Sequence, residues 1–161
     1  GLTFTTGDGS SDAAMTFSGT VANVNAALTT VNYLADGSEF LPADPRLRTQ
    51  VLQWQFFEQY SHEPYIAVCR SQIHYLGKSA AEREAWRVER GEAALDLMDR
   101  HLATRDWFAN DRFSIADIAL LAYTRLAHEG GFDLSGRGNV RGWIRRCEGQ
   151  LKLEPAPTGL N

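Results

Sequence analysis

Lys and Arg are absent from the first 45 positions of this chain, and Arg46 is the first basic residue. Over all 161 residues the formal charge is −4, and residues 46–161 hold all 16 basic residues against 15 acidic ones, so no large positive excess is present. Proteins that bind nucleic acid through their surface need a basic face or stripe. The sequence therefore predicts no nucleic-acid partner.

Cysteine is also scarce, because Cys69 and Cys147 are the only two and they lie far apart. This spacing provides neither a disulfide framework nor a CxxC metal motif. Hydrophobic runs long enough to cross a membrane are missing, and so is the basic start and apolar core of a signal peptide. We expect a cytoplasmic protein with reduced thiols and no membrane partner. Gly1 is not a natural first residue, which is consistent with a fragment of a longer chain.

The composition nevertheless supports a packed core, since 43% of the residues are hydrophobic and 11% are aromatic. Residues 1–32 differ from the rest and contain ten Ser and Thr residues. Alternation at 2–5 and 14–18, around a Gly, Asp and Ser cluster, predicts a β-hairpin with a long loop. Helical spacing from Val21 to Val31 predicts a short leading helix. This opening weakly resembles the repeats of bacterial surface adhesins, and residues 33–45 follow it as a linker.

From residue 46 onward the periodicity is helical nearly throughout, which predicts a mainly α fold of five or six helices. The first helix starts at Arg46, and Pro64 should kink or interrupt it because proline lacks an N–H and clashes with the preceding turn. Trp86, Leu95, Met98 and Leu102 are expected to share one buried stripe. The remaining helical segments are predicted at 66–76, 80–102, 115–126 and 139–147. The helical domain ends near residue 154, and residues 155–161 form a frayed tail.

The strongest local signal is the segment 113–118, FSIADI. The Ser114 side chain can accept a hydrogen bond from the amide of Asp117. In turn, the Asp117 carboxylate can accept one from the amide of Ser114. This capping box explains Asp117 fully as a structural residue that begins the next helix.

Three motifs in this order resemble the C-terminal all-helical domain of glutathione transferases, over about residues 33–154. They are VLQWQFFEQYSHEPYIA at 51–67, FSIADIA at 113–119 and NVRGWIRR at 139–146. Gly138 and Gly142 depart from the family pattern, which has Pro and Ala at these positions. The resemblance implies a helical bundle that supplies a groove for a hydrophobic electrophile.

In that family, glutathione is held by a thioredoxin-like domain that precedes the helices. The Glu-Ser pair that grips the γ-glutamyl group should stand at Ala26-Ala27, and neither side chain can form that contact. No Pro occurs before Pro42, so the family's cis-Pro loop has no counterpart. We therefore expect no catalytic residue and no cofactor in this chain, with glutathione bound only if a complete site forms. Conjugating activity of the chain alone is not expected.

The resemblance also implies that Phe56, Tyr60, His62 and Tyr65 line the electrophile groove, because the first helix faces that site. The alternative is that these rings fill the core or a subunit contact. No metal site is expected, since the His62-Glu63 pair lacks a second His at Ile66. Predicted partners are an apolar small molecule and a second copy of the chain, bound through the first long helix. Two other interpretations stay open, namely a protein-interaction module and a fused or truncated reading frame without a selected function.

Overall fold

The computed structural model describes residues 3–6, 16–20 and 38–156, and the chain divides into two compact units, Gly1–Leu34 and Ala35–Asn161. In the first unit, strand β1 (Thr3–Thr6) pairs antiparallel with strand β2 (Thr16–Ser18). Thr3 lies opposite Ser18, and the register shifts between Phe4 and Thr6. The two predicted strands are thus confirmed. The predicted leading helix and Ala26-Ala27 lie outside the described residues.

The second unit is helical, which confirms the predicted fold class. Five α-helices are described: α1 (Pro45–Phe57), α2 (Glu63–Arg70), α3 (Ala85–Leu102), α4 (Ile115–Thr124) and α5 (Gly138–Leu151). Short π-helical turns at Glu58–His62 and Ser71–Tyr75 flank α2, and 3-10 turns lie at Ala80–Glu82 and Ala127–Gly130. In the part of the chain that the structure describes, no helix combines the length and apolar character needed to span a bilayer.

Helix α1 begins at a proline that follows an acidic cap. The Asp44 carboxylate accepts from the amides of Arg46 and Leu47, both at 3.0 Å. Pro45 stands in the first turn, where the missing N–H costs nothing because that group would have no partner in the helix. This cap fixes where the chain enters the bundle.

The predicted interruption at Pro64 is confirmed, and a π-helical turn produces it. His62 departs from helical dihedral angles with φ −121° and ψ −65°, and the amide of Glu63 bonds to the carbonyl of Glu58, five residues earlier. Pro64 then falls in the first turn of α2, a position where proline is tolerated. The wider turn keeps the chain helical while accommodating the ring.

Helix α5 has no cap of its own, and a carboxylate from α3 supplies one. Asp99 Oδ1 accepts from the amides of Asn139 and Val140, both at 3.0 Å. Its Oδ2 accepts from Asn139 Nδ2 at 3.0 Å. These contacts satisfy helix-terminal donors that would otherwise lack partners and fasten the start of α5 to α3.

The core is centred on Trp143, Phe108 and Leu95, which are fully or almost fully buried. The predicted buried stripe on α3 is correct for Leu95, Met98 and Leu102 but wrong for Trp86, which is 50% exposed. Trp86 precedes Leu95 by nine residues, which is about two and a half turns at 3.6 residues per turn and puts the two side chains on opposite faces of the helix. The indole therefore points away from the core, where the guanidinium of Arg87 lies 4.4 Å from its ring centroid.

Candidate functional site

The four side chains predicted to line a groove do not come together in one place. Phe56 and Tyr60 are exposed, at 63% and 70%, and their rings stack with centroids 6.4 Å apart. Tyr65 is half-buried; its hydroxyl accepts from Arg90 Nη1 at 3.1 Å, and its ring meets Trp86 edge-on. Contact of these three rings with a ligand stays a prediction.

His62 lies in the core, so its predicted place in an open groove does not fit the structure. The side chain has no exposed surface, and Nε2 lies 2.9 Å from Thr124 Oγ1. Because the Thr124 hydroxyl donates to the carbonyl of Leu120 at 2.6 Å, His62 Nε2 must carry the hydrogen and donate to Thr124. Nδ1 is then a buried acceptor, and none of the described residues donates to it. Burial lowers the pKa of His62 to about 3, which keeps the ring neutral.

A pocket with an aromatic lining lies between α1 and α3. Its volume is about 500 Å³, within the range of small-molecule sites. It is lined by Gln53, Trp54, Phe57, Leu97, Arg100 and His101. We refer to these six residues as the α1–α3 pocket. None of Phe56, Tyr60, His62 and Tyr65 lines it.

A second depression, of about 350 Å³, adjoins this pocket and shares Gln53, Trp54 and His101 with it. It continues to Arg105, Asn110 and Asp111 in the loop that follows α3. A ligand longer than one ring could therefore extend from the α1–α3 pocket toward that loop.

The indole of Trp54 is fixed by three neighbouring rings. Its centroid lies 5.1 Å from Phe57, 4.5 Å from His101 and 4.6 Å from Phe108, each at a tilted or edge-on angle. Aromatic pairs at these separations and angles are favourable because edge and face carry opposite partial charge. The wall of the pocket is thus held in place before any ligand arrives.

His101 is the titratable group of this wall, and the structure favours its neutral form. Nε2 lies 3.1 Å from the carbonyl of Phe108, so this nitrogen donates and Nδ1 keeps the lone pair. Burial, together with the nearby positive charge of Arg105, lowers the pKa of His101 below its ordinary value. The ring therefore offers an acceptor and an aromatic face rather than a charge near neutral pH.

The sequence does not predict this pocket because its two walls are forty or more residues apart in the chain. The available signal was the i, i+3 pair Trp54 and Phe57 and the i, i+4 pair Leu97 and His101, each of which places two side chains on one helix face. Which helix faces meet cannot be derived from that spacing. Which faces of α1 and α3 contact each other depends on how the whole bundle packs.

Ser114 and Asp117 form the capping box at the start of α4. Asp117 Oδ2 accepts from the amide of Ser114 at 2.9 Å, and Oδ1 accepts from the amide of Phe108 at 3.1 Å and from Trp143 Nε1 at 2.9 Å. Burial raises the pKa of Asp117, while these hydrogen bonds act in the opposite direction. The Asp117 carboxylate therefore links Phe108, the start of α4 and Trp143 of α5 within the core.

Neither cysteine is placed to act as a nucleophile. Cys69 and Cys147 are both buried, and burial raises the pKa of each thiol, whereas a reactive cysteine needs a lowered one. Among the described residues, no group of three or more His, Cys, Asp or Glu side chains is arranged to hold a metal ion.

The helical unit thus combines five α-helices, a π-helical break before Pro64 and a capping box on Asp117. The family model described as "Glutathione S-transferase, C-terminal domain" matches residues 80–146. The chain is similar to the crystal structure of a glutathione S-transferase from Pseudomonas fluorescens, with 49% identity and a TM-score of 0.71 over 82% of this chain and 67% of that one. The chain belongs to the glutathione S-transferase family.

Other relatives agree with this assignment. A glutathione S-transferase structure from Xanthobacter autotrophicus Py2 is 41% identical, with a TM-score of 0.71 over 83% of this chain and 64% of that one. Glutathione S-transferase GST-4.5 of Xanthomonas campestris is 28% identical over 145 residues, which are 85% of this chain and 70% of the relative. The chain thus spans about two thirds of the length of these proteins. The likeness of residues 1–32 to adhesin repeats is supported by none of these comparisons.

Proposed function

We propose that the helical unit is the hydrophobic-substrate half of a glutathione transferase and holds an apolar ligand in the α1–α3 pocket. The observation that carries this proposal is the pocket itself, about 500 Å³ in volume with an indole wall fixed by three other rings. Sites for small molecules are concave, largely apolar and formed before the ligand binds. The family supplies the role for such a ligand, since glutathione transferases join glutathione to hydrophobic electrophiles.

Leu97 offers a test that leaves the core untouched, because it lines the pocket and is 39% exposed. The neutral fluorophore phenylnaphthylamine should bind saturably to the wild-type chain. Leu97→Gln should weaken that binding about tenfold, since losing most of a leucine's apolar contact corresponds to roughly 1.5 kcal/mol. The matched control is Leu153→Gln, which removes an equally exposed leucine (40%) that does not line the pocket. Equal binding by all three proteins would reject the pocket as the site.

We further propose that the chain of 161 residues does not conjugate glutathione by itself. Thiol activation requires a donor held rigidly beside the sulfur of the bound peptide. The sequence places Ala26-Ala27 where the family has its γ-glutamyl-binding pair, and this substitution supports the proposal. The buried thiols of Cys69 and Cys147 also favour a reducing, cytoplasmic location. The experiment is an absorbance assay with glutathione and an activated aryl halide, in which a rate above the uncatalysed one would refute the proposal.

The exposed pair Phe56 and Tyr60 supports a second role for the first helix, as the contact between two copies of the chain. Two stacked rings exposed by 63% and 70% form an apolar area that a partner could cover. Analytical ultracentrifugation should show a dimer for the wild-type chain and a monomer for Phe56→Ser combined with Tyr60→Ser. A wild-type monomer at high concentration would exclude this contact, and binding of an unrelated protein there would favour an interaction module instead.

A further inference from the structure

A third depression lies where the end of α3 meets the first turns of α5, outside the α1–α3 pocket. Its volume is about 320 Å³, within the range of small-molecule clefts. One wall is the chain segment 102–106, and the other includes Gly138, Gly142 and Arg146 of α5. Leu102, its one large apolar residue, is buried, so the depression is polar and suits a hydrophilic ligand. We refer to it as the α3–α5 depression.

Two glycines on α5 leave this depression open. Positions 138, 142 and 146 are four residues apart and therefore share one face of the helix. A Cβ on Gly138 would meet no atom within 4 Å, and one on Gly142 would lie 3.4 Å from Arg146 Nη1. Glycine is less favourable in a helix than alanine, yet Gly142 stands in the second turn of α5. The chain thus gives up helix stability at the position where a side chain would occupy the depression.

The guanidinium of Arg146 is held in place before any ligand binds. Nε and Nη2 donate to the carbonyl of Asp106 at 3.3 and 2.9 Å, and Cζ lies 5.8 Å from the ring centroid of Trp107. Nη1, on the side of Gly142, has no acceptor among the described residues. Because two of its nitrogens already fix this guanidinium, an oxyanion can bind to the third with little further loss of side-chain entropy.

The charges that line the depression favour an anion. Arg105 is exposed and pairs with no carboxylate within residues 38–156. Asp106 supplies the one carboxylate of the lining; its side chain is 78% exposed, and its Oδ1 lies 3.7 Å from Arg146 Nε. Two guanidinium groups are thus set against one exposed carboxylate. The first amides of α5 already donate to Asp99, so the side chains have to hold the anion.

We infer that the α3–α5 depression binds the phosphate group of a small, hydrophilic phosphate monoester. The phosphate oxygens accept from Arg146 Nη1 and from Arg105, and the Thr104 hydroxyl is a further donor in the same wall. A phosphate monoester carries nearly two negative charges at neutral pH and can compensate both guanidinium groups, whereas a carboxylate carries only one. The rest of the ligand occupies the space beside Gly138. This site is separate from the α1–α3 pocket, and the inference does not depend on what binds there.

An NMR titration of the 161-residue chain with glycerol 3-phosphate tests the inference. The amide resonances of Thr104 and Gly142 should shift saturably, with a Kd on the order of 1 mM. The indole N–H of Trp107, beside Arg146, should shift with them. Glycerol should cause no shift, inorganic phosphate should compete, and acetate should bind about threefold more weakly or worse because it has half the charge.

Substitutions of the charged residues should act in opposite directions. Arg146→Gln should weaken binding of glycerol 3-phosphate about tenfold, as for the loss of one charge-assisted hydrogen bond. Asp106→Asn should strengthen it about threefold, because the competing carboxylate is removed. Arg112→Gln is the matched control, since it makes the same change in net charge at an exposed residue outside the depression and should leave binding unchanged.

Gly142→Ala separates binding from folding. Its methyl group would lie 3.4 Å from Arg146 Nη1, where a phosphate oxygen is expected, so affinity should fall about threefold while α5 becomes more stable. Gly149→Ala makes the same change on α5 outside the depression and should stabilise the helix without affecting binding.

Three results would overturn the inference. The first is the absence of a saturable shift at millimolar glycerol 3-phosphate. The second is equal binding by the wild type, Arg146→Gln and Gly142→Ala. The third is equal affinity for glycerol 3-phosphate and acetate, which would remove the assignment to a phosphate group. None of these results bears on phenylnaphthylamine binding in the α1–α3 pocket.

Discussion

Replacing His62 by Gln should remove a sensitivity to acid that the wild-type chain owes to this ring. The folded protein holds His62 neutral in the core with a pKa of about 3, whereas the unfolded chain releases it to its ordinary value of about 6.5. Because the folded pKa is the lower one, the contribution of His62 to stability is complete above pH 6.5. It is lost progressively as the pH falls toward 3.

The size of the effect follows from these two values. At pH 5 the unfolded chain has gained a proton that the folded protein still excludes, and the 1.5 units below 6.5 correspond to about 2 kcal/mol. This is a large part of the roughly 5–15 kcal/mol by which small domains are stable. Gln can still donate to Thr124 but cannot titrate, so His62→Gln keeps the contact and removes the proton.

Urea unfolding followed by tryptophan fluorescence measures the effect. The free energy of unfolding of the wild-type chain should fall between pH 8 and pH 5 by about 2 kcal/mol more than that of His62→Gln. Carboxyl groups such as Asp117, with its raised pKa, are common to both proteins and cancel in this difference. His128→Gln is the matched control, since it removes a histidine at a half-buried position without the Thr124 contact. Parallel losses of stability in the wild type and His62→Gln would refute the buried, neutral assignment.

Three further substitutions should lower the free energy of unfolding, and chemical denaturation at pH 7 measures each. Asp117→Ala should cost about 3 kcal/mol or more, because the indole of Trp143 and two amides lose a buried acceptor; a loss below 1 kcal/mol would contradict this. Asp99→Ala should cost about 1–2 kcal/mol by uncapping α5, with Asp99→Asn retaining part of the cap, and equal losses by the two would count against the capping role. Gly91→Ala should cost about 1–3 kcal/mol, because its Cβ would lie 2.6 Å from the ring of Phe132; unchanged stability would mean that this ring moves freely.

Features that depend on neighbouring positions could be predicted from the sequence. The capping box needs only Ser114 and Asp117 three residues apart, and the break in the first helix needs only Pro64. The class of fold followed from motifs at fixed spacings. These signals are local because a cap or a missing N–H acts within one or two turns.

Features that join distant segments could not be predicted in the same way. Asp99 caps a helix that begins about forty residues later, and nothing near Asp99 in the sequence indicates that contact. The α1–α3 pocket depends on how two helices cross, which periodicity does not determine. Trp86 was wrongly assigned to the buried stripe for a different reason. An apolar residue belongs to a helix face only if its angular position, at 100° per residue, falls on that face, and Trp86 lies opposite Leu95.

Locating a bound apolar ligand is the most direct test of the central claim, and the four tryptophans of the chain can report its position. In an NMR titration with phenylnaphthylamine, the indole N–H resonance of Trp54 should shift saturably, because this ring forms the wall of the α1–α3 pocket. The resonance of Trp143, fully buried in the core, should stay unchanged. A saturable shift of the exposed Trp86 without one of Trp54 would place the ligand on another surface and contradict the account.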